Sequence, residues 1–530
     1  MSKQALARKI GQLLVVGFNG KTITPEIKEL IHDYHVGSII LFSRNIGNPD
    51  EVLSLTSSLQ KEAKAAGYEK PLLICLDQEN GVVSRIHQGM TTFPGAMALG
   101  ATDKPQYAYE VGLATGRELK ALGINWNLAP VLDVNNNPQN PVIGVRSFNE
   151  NPQKVAAFGE AMMKGLQDAG VMTSLKHFPG HGDTSVDSHL DLPVISHEMG
   201  QLENVELVPF QACIQAGADA VMTAHVYFPA IEPQANTPAT LSKQVYVNLL
   251  REKLGFQGAI TTDCMEMKAI SNTIGTEKGA VKALQAGTDF VMVSHTYPVQ
   301  KRTIEEITAA VESEALSASS IEASFQRIQL LKEKYTTWKD ASLSNKEKAL
   351  QMVGAKEHHQ LAQKVYRESV TIVHNDQLLP LKGEKPLNIL VLEPAYGPMA
   401  QVEDKNMQQK SLGSAIKEYV PQASVQVYDE NVRKQEMAEL LQAAKQVDYI
   451  ILGTVTVTEN SPVIPFVHQL VNVNSNIIGV GMRNPYDFYY LNKLPTFINT
   501  YEWNDPALQV AAGAIFGKEN ARGTLPVKIG

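Results

Sequence analysis

Short, continuously apolar runs rich in β-branched residues recur along the first 295 positions, separated by amphipathic stretches. Eight are present: QLLVVGF (12–18), VGSIILF (36–42), PLLICLD (71–77), INWNLAPVLDV (124–134), VMTSLKH (171–177), ADAVMTAHV (218–226), QGAITTD (257–263) and TDFVMVSH (288–295). A strand with one face in water alternates apolar and polar residues, whereas an unbroken run marks a strand covered on both faces. Parallel strands flanked by helices are the expectation.

The intervening stretches carry helix start and stop chemistry. TPEIKELIHDY has Pro in its first turn, and NPDEVLSLTSSLQKEAKAAG and NPQKVAAFGEAMMKGLQDAG begin on Asn-Pro and end on Gly. QLENVELVPFQACIQAG, LSKQVYVNLLREKLG and TEKGAVKALQAG also close on Gly, the residue suited to the left-handed C-terminal position. Eight strand–helix units in about 300 residues predict a (β/α)₈ barrel, with a doubly wound open sheet as the alternative. The barrel is assigned to residues 1–338, and the charged stretch KEKYTTWKDASLSNKEK crosses into a linker at 339–349. From 350 to 530, TIVHN, LNILVLEP, SVQVYDE, DYIILGTVTV, NIIGVGMR and TFINTYEW alternate with helical stretches and predict a smaller α/β/α sandwich.

Composition narrows the partners. In 530 residues, 44% are hydrophobic and acidic residues exceed basic ones by 55 to 47, a net charge of −8. This is a globular composition without the basic surplus that holds nucleic acid or an anionic membrane. Cys75, Cys213 and Cys264 lie in apolar runs and read as buried thiols. The opening MSKQALARKIGQLLVVGF has an apolar stretch too short for a signal peptide or membrane span, so a cytoplasmic location is expected. No phosphate loop or dinucleotide fingerprint is present, and no cofactor is expected.

Chemically capable residues collect at the C-terminal ends of the runs: Asp77, Asp133, Lys176 with His177, His225, Asp263 and His295. In a barrel those ends open on one face, so these residues are expected to share one pocket. KHFPGHGDTSVDSHLDLP (176–193) has the make-up of a catalytic loop rather than a core segment. His177, His181 and His189, with Asp183 or Asp187, could be read as zinc ligands. Their spacing is not that of helical zinc proteases, and Pro179–Gly180 breaks the helix that would align them, so no metal is expected. Asp187 and His189, two apart on an extended loop, can form a dyad in which the carboxylate orients the imidazole. No G-x-S-x-G elbow is present. Asp263, at the end of GAITTD, is the candidate nucleophile; the alternative is a cap for the following helix. Asp77, Arg85, Arg146, Lys176 and His177 supply the carboxylate and cationic groups that a neutral sugar needs.

With these motifs in hand, the chain resembles the family 3 glycoside hydrolases of the NagZ type, the β-N-acetylglucosaminidases, in their two-domain form. The likeness rests on KHFPGHGDTSVDSH, KIGQLLVVGF, DQENGVVSRI, APVLDV with NPVIGVRSF, the PATLS run and GAITTDCMEMKAI, and ESVTIVHNDQLLPL resembles the start of the second domain. One position departs: the family's usual D-Q-E-G-G reads Asn80–Gly81 here, and Asn tolerates positive φ better than most residues.

The resemblance implies Asp263 as nucleophile, His189 as general acid/base, Asp187 as its dyad partner, and Asp77, Arg85, Arg146, Lys176 and His177 as ligands of N-acetylglucosamine. It implies a retaining double displacement on terminal β-linked N-acetylglucosamine, with muropeptides of bacterial cell-wall recycling as the substrate. The sequence does not reveal the oligomeric state, and a monomer is favoured. The Asp50–Glu51 and Asp429–Glu430 pairs end no barrel strand and give a substrate-assisted route little support. Phosphorolysis by the same residues is the rival, since a neutral imidazole does not repel phosphate; an inactive sugar-binding protein is the remaining alternative.

Overall fold

The structure is a computed structural model that describes residues 3–184, 192–341, 346–381, 387–395, 400, 402–403, 411–429 and 434–529. Eight parallel strands close a barrel: β1 (Leu14–Val16), β2 (Ser38–Ile40), β3 (Leu73–Leu76), β4 (Trp126–Asn127), β5 (Met172–Phe178), β6 (Ala220–Thr223), β7 (Ala259–Cys264) and β8 (Phe290–Val293). Each pairs with its neighbours in sequence, and β8 returns to β1 with Leu14 opposite Val291. Nearly every strand residue is buried, as unbroken apolar runs require. Trp126 packs on Phe290 at 4.9 Å between ring centroids, and its Nε1 donates to Ser174 Oγ (2.8 Å).

The helices follow their signals, with informative exceptions. Pro49–Ala65 opens on a reciprocal cap: Asn48 Oδ1 accepts the Glu51 N–H (3.0 Å) and Glu51 Oε2 accepts the Asn48 N–H (2.9 Å). The stretch expected as one helix over 201–217 divides into Met199–Asn204 and Leu207–Gln215. Pro209, which lacks an N–H and is tolerated only in a first turn, sits in the first turn of the second piece. Gln244–Lys253 is a π-helix rather than an α-helix. The run 124–134 keeps strand pairing only at Trp126–Asn127 and at an isolated bridge from Val131 to Lys176, because Pro130 between them has no donor for a ladder.

The second sheet has six strands: β9 (Thr371–Asn375), β10 (Ile389–Pro394), β11 (Ser424–Tyr428), β12 (Tyr449–Thr454), β13 (Ile477–Gly481) and β14 (Thr496–Asn499). Their order is β9-β14-β13-β12-β10-β11, parallel except for β9 on the edge. This sheet does not stand apart from the barrel. One apolar core runs across the seam, joining Phe93, Met97 and Phe148 of the barrel half to Tyr366, Val391 and Trp503. Hydrogen bonds cross it as well, among them Thr524 N–H to the Ala101 carbonyl (2.8 Å) and Asn135 Nδ2 to Tyr486 Oη (3.1 Å).

Candidate active site

At the C-terminal ends of the barrel strands lies a cavity of about 610 Å³, lined by Asp77, Arg85, Arg146, Lys176, His177 and Asp263 together with residues of the other strand ends. A strand buried on both faces can expose a polar side chain only where it ends, which is why these groups follow β3, end β5 and end β7. Asp263 occupies the penultimate position of β7, and its Oδ1 accepts the Cys264 N–H (2.7 Å). The next helix, Lys268–Ser271, has Met267 at its N-cap, so Asp263 is not its cap.

Directly after β3 the chain turns in a small hairpin, Gln78–Asn80 against Val83–Ser84. Where the first strand runs into the Gly81–Val82 turn, Asn80 stands at φ 69° and Gly81 at φ 59°, left-handed values that Gly adopts freely and Asn tolerates better than most residues. The departure read in the sequence thus sets a residue that tolerates positive φ where the backbone takes it. The hairpin carries Glu79 into the site. Arg146 grips Glu79 with two parallel bonds, Nε to Oε2 (2.9 Å) and Nη2 to Oε1 (2.8 Å). Lys176 Nζ lies between two carboxylates, 2.8 Å from Asp77 Oδ1 and 2.7 Å from Glu79 Oε1, while Arg85 Nη2 reaches Asp77 Oδ2 at 3.3 Å.

These pairings fix the charge states. Burial opposes ionisation of Asp77 and Glu79, but Lys176 with Arg85 outweighs it at the first and Arg146 with Lys176 at the second; both carboxyls fall below their ordinary range. Lys176 is fully enclosed, yet Asp77 and Glu79 hold its ammonium above the ordinary lysine value. The array is therefore a fixed lattice of ionised donors and acceptors at neutral pH. His177 is oriented from behind: its Nδ1–H donates to Asp133 Oδ2 (2.7 Å), and Asp133 Oδ1 accepts the N–H groups of His177 (3.2 Å) and His181 (2.7 Å). Burial, followed by the nearby His177, drives His181 down to about 4, so it stays neutral.

The expectation of one shared pocket holds for Asp77, Lys176, His177, Asp263 and His295 but needs correcting for two residues. Asp133 and His225 are fully buried behind the cavity wall. Asp133 is consumed in holding the His177–His181 segment, and His225 is held between Thr240 Oγ1 (2.7 Å) and the Cys264 carbonyl (2.9 Å). Asp187 and His189 lie outside the described residues. Among the described residues no group of three His, Cys, Asp or Glu side chains is placed to hold a metal ion.

Three contributions were not read from the sequence. Glu79 lies within DQENGVVSRI, and its signal there is a carboxylate two residues beyond a strand-end Asp. Arg44 follows β2 and lines the cavity, with Nε donating to the Phe18 carbonyl (2.9 Å) and Nη2 to the Ser294 carbonyl (2.7 Å). The polar SRN after the second apolar run was its signal. Val402 and Glu403 reach in from the second domain, the Val402 carbonyl accepting from Arg85 Nη1 (2.9 Å). No local pattern could announce them.

Over residues 5–331 the chain matches the family described as glycosyl hydrolase family 3 N terminal domain. Beta-hexosaminidase A of Pseudoalteromonas piscicida is 32% identical, across 96% of this chain and 92% of that protein. A glycoside hydrolase family 3 β-N-acetylglucosaminidase from Paenibacillus sp. str. FPU-7 superposes with a TM-score of 0.90 at 37% identity, covering 99% of both chains. A fungal multi-domain family 3 β-N-acetylglucosaminidase gives 0.91 at 38% identity, covering 99% of this chain and 60% of that one. The family match takes in all eight barrel strands and the Pseudoalteromonas relative runs through both domains, so the chain belongs to glycosyl hydrolase family 3.

Proposed function

We propose that this protein hydrolyses terminal β-linked N-acetylglucosamine, with muropeptides as its natural substrates and retention of configuration. The observation that carries the reading is Asp263 at the end of β7, lining the same cavity as the Asp77–Lys176–Glu79–Arg146 lattice. A pyranose presents hydroxyls that both donate and accept. The spare lone pairs of Asp77, beside the N–H groups of Lys176, Arg85 and Arg146 that line the cavity with it, match that double character, and Glu79 holds Arg146 and Lys176 in place from behind. A cavity of this size suits one sugar residue with its N-acetyl group.

In the reaction, Asp263 attacks the anomeric carbon. A carbon–oxygen bond forms to its carboxylate as the bond to the leaving oxygen breaks, and His189 gives that oxygen a proton. His189, oriented by Asp187, then takes a proton from water, which displaces Asp263 and releases the sugar. Imidazole titrates near neutrality by nature and can serve both steps. The names borne by the relatives, β-hexosaminidase and β-N-acetylglucosaminidase, support the choice of sugar.

The reading is tested by incubating the protein with defined muropeptides and with a chromogenic N-acetylglucosaminide, each with and without inorganic phosphate. Free N-acetylglucosamine at equal rates in both conditions is expected. Strict dependence on phosphate with a sugar 1-phosphate product would replace hydrolysis by phosphorolysis, and a preference for a β-glucoside would overturn the choice of sugar.

A further inference from the structure

Behind the Gln78–Asn80 hairpin lies a buried carboxyl that belongs to the other domain. Glu502 follows β14 in the segment TYEWN and is buried, with 4% of its surface exposed. It faces the barrel. Its Oε1 accepts the backbone N–H of Gly95, and its Oε2 accepts from Tyr366 Oη (3.1 Å) and from Asn504 Nδ2. Gly95 in turn lies against Gly81, whose N–H donates to the Phe93 carbonyl (3.4 Å). The approach is so close that a Cβ on Gly81 would stand 2.8 Å from Gly95 Cα and 3.2 Å from Glu502 Oε1. Gly81 is two residues from Glu79, and a small gap lined by Glu79, Gly81, Gly95, Arg146 and Glu502 separates the carboxyl from the Glu79–Arg146 pair.

We propose that Glu502 is a positioning residue for sugar binding: through Gly95 and Gly81 it presses the hairpin into the register at which Glu79 holds Arg146 and Lys176. The inference rests on the reading that this lattice holds N-acetylglucosamine. It gives the second domain, which already lines the cavity with Val402 and Glu403, a further hold on the site that needs no contact with the sugar.

The chemistry supports a tuned role rather than passive packing. Burial pushes the Glu502 carboxyl up to about 7, against an ordinary value of 4.5, and its hydrogen bonds from Gly95, Tyr366 and Asn504 offset only part of that. The titratable and charged groups around it are Tyr366 on the helix Lys356–Ser369, Tyr501 beside it in the chain, and Glu79 with Arg146 across the gap. Because the folded pKa is raised, the stabilisation from the protonated form is complete below pH 4.5 and is lost as pH rises through about 7. The same ionisation strengthens the hydrogen bonds that the carboxylate accepts, including the one that holds Gly95. Binding and global stability should therefore move in opposite directions across neutrality.

The test measures the Kd of N-acetylglucosamine by calorimetry, with melting temperature in parallel, for the unmodified full chain, Glu502→Ala, Glu502→Gln and Lys104→Ala. Lys104 pairs with Glu368 at an exposed point of the same seam and controls for domain docking. Glu502→Ala leaves the buried Gly95 N–H without its acceptor, and about tenfold weaker binding is expected, while Glu502→Gln loses about threefold. Lys104→Ala should leave Kd unchanged. The gap between wild type and Glu502→Gln should widen from pH 6 to pH 8, because only the wild type ionises there. If Glu502→Ala does not fold, Glu502→Gln decides. Unchanged Kd in the folded Glu502 variants, or a gap that does not vary with pH, overturns the proposal. Absence of N-acetylglucosamine binding by the unmodified chain instead overturns the reading of the site, and the proposal with it.

Discussion

The two ends of the barrel both bury charge, and they do so to different effect. At the N-terminal end, the residues just before the strands are sealed by partners. Asp289, ahead of β8, takes Arg327 on Oδ1 (2.9 Å) and Arg251 and the Ile260 N–H on Oδ2 (both 2.8 Å). Asp219, ahead of β6, takes Lys334 (2.8 Å), Tyr335 (2.6 Å) and Gln167 (2.9 Å). At the C-terminal end, Asp77, Glu79, Lys176 and Arg146 are equally well paired, yet three of the four line a cavity. Satisfaction of buried charge does not tell the two ends apart. What distinguishes them is the cavity of about 610 Å³ that the mouth charges line, and the expectation is that one end governs activity and the other stability.

The sharpest break between the ends is Asp263→Ala, which should lower kcat/KM for a chromogenic N-acetylglucosaminide by roughly 10⁴-fold or more with little change in melting temperature. Substantial residual activity would remove Asp263 from the nucleophile's role. Next in size, Lys176→Met should cost about 10²-fold in kcat/KM, since it strips a shared donor from both Asp77 and Glu79 and, on the proposed function, removes the cation beside a sugar hydroxyl. At the other end, Asp289→Ala should remove about 3 kcal/mol of stability in denaturant titration by taking from Arg251 and Arg327 their shared counter-charge, with kcat/KM per folded molecule unchanged. A fall in kcat/KM matching that of the mouth variants would erase the division of labour.

The sequence disclosed the mouth unevenly, for reasons of geometry. Asp77, Lys176, His177 and Asp263 end apolar runs, and a polar residue there stands out against a pattern of period and length. Arg44 and Glu79 sit one turn beyond their strands, where polar residues are ordinary, so only the fold distinguishes them. Glu403 and Glu502 come from a domain whose approach to the barrel is a long-range packing event with no local pattern. The strands were legible because burial on both faces leaves unbroken runs. The π-helix at Gln244–Lys253 was not, since ten residues of amphipathic pattern fit an α period as well as a π one. The division of Met199–Gln215 could have been read from Pro209, whose missing N–H requires a first turn.

The smallest expected effect lies at the N-terminal end, where one charge breaks that end's own rule. Lys332 is fully buried on the helix Ala318–Tyr335; its Nζ donates to Gln12 Oε1 (2.7 Å) and lies 6.0 Å from the Tyr68 ring centre. Burial, and then the like charge of Lys70, lower it to about 7, against an ordinary lysine value of 10.5. Between those values the unfolded chain holds a proton that the folded chain does not, so this group makes stability rise with pH over that window and costs most at and below pH 7. Lys332→Met keeps the apolar volume, removes the titration and gives up one hydrogen bond. The expected result is a gain of about 1–2 kcal/mol at pH 7 that shrinks as pH approaches 10, with kcat/KM unchanged. Denaturant titrations of both proteins at a series of pH values measure it. A gap that stays constant with pH would show that Lys332 is charged in the fold, and would leave the N-terminal end with an uncompensated ammonium for which Gln12 and Tyr68 supply the whole of the stabilisation.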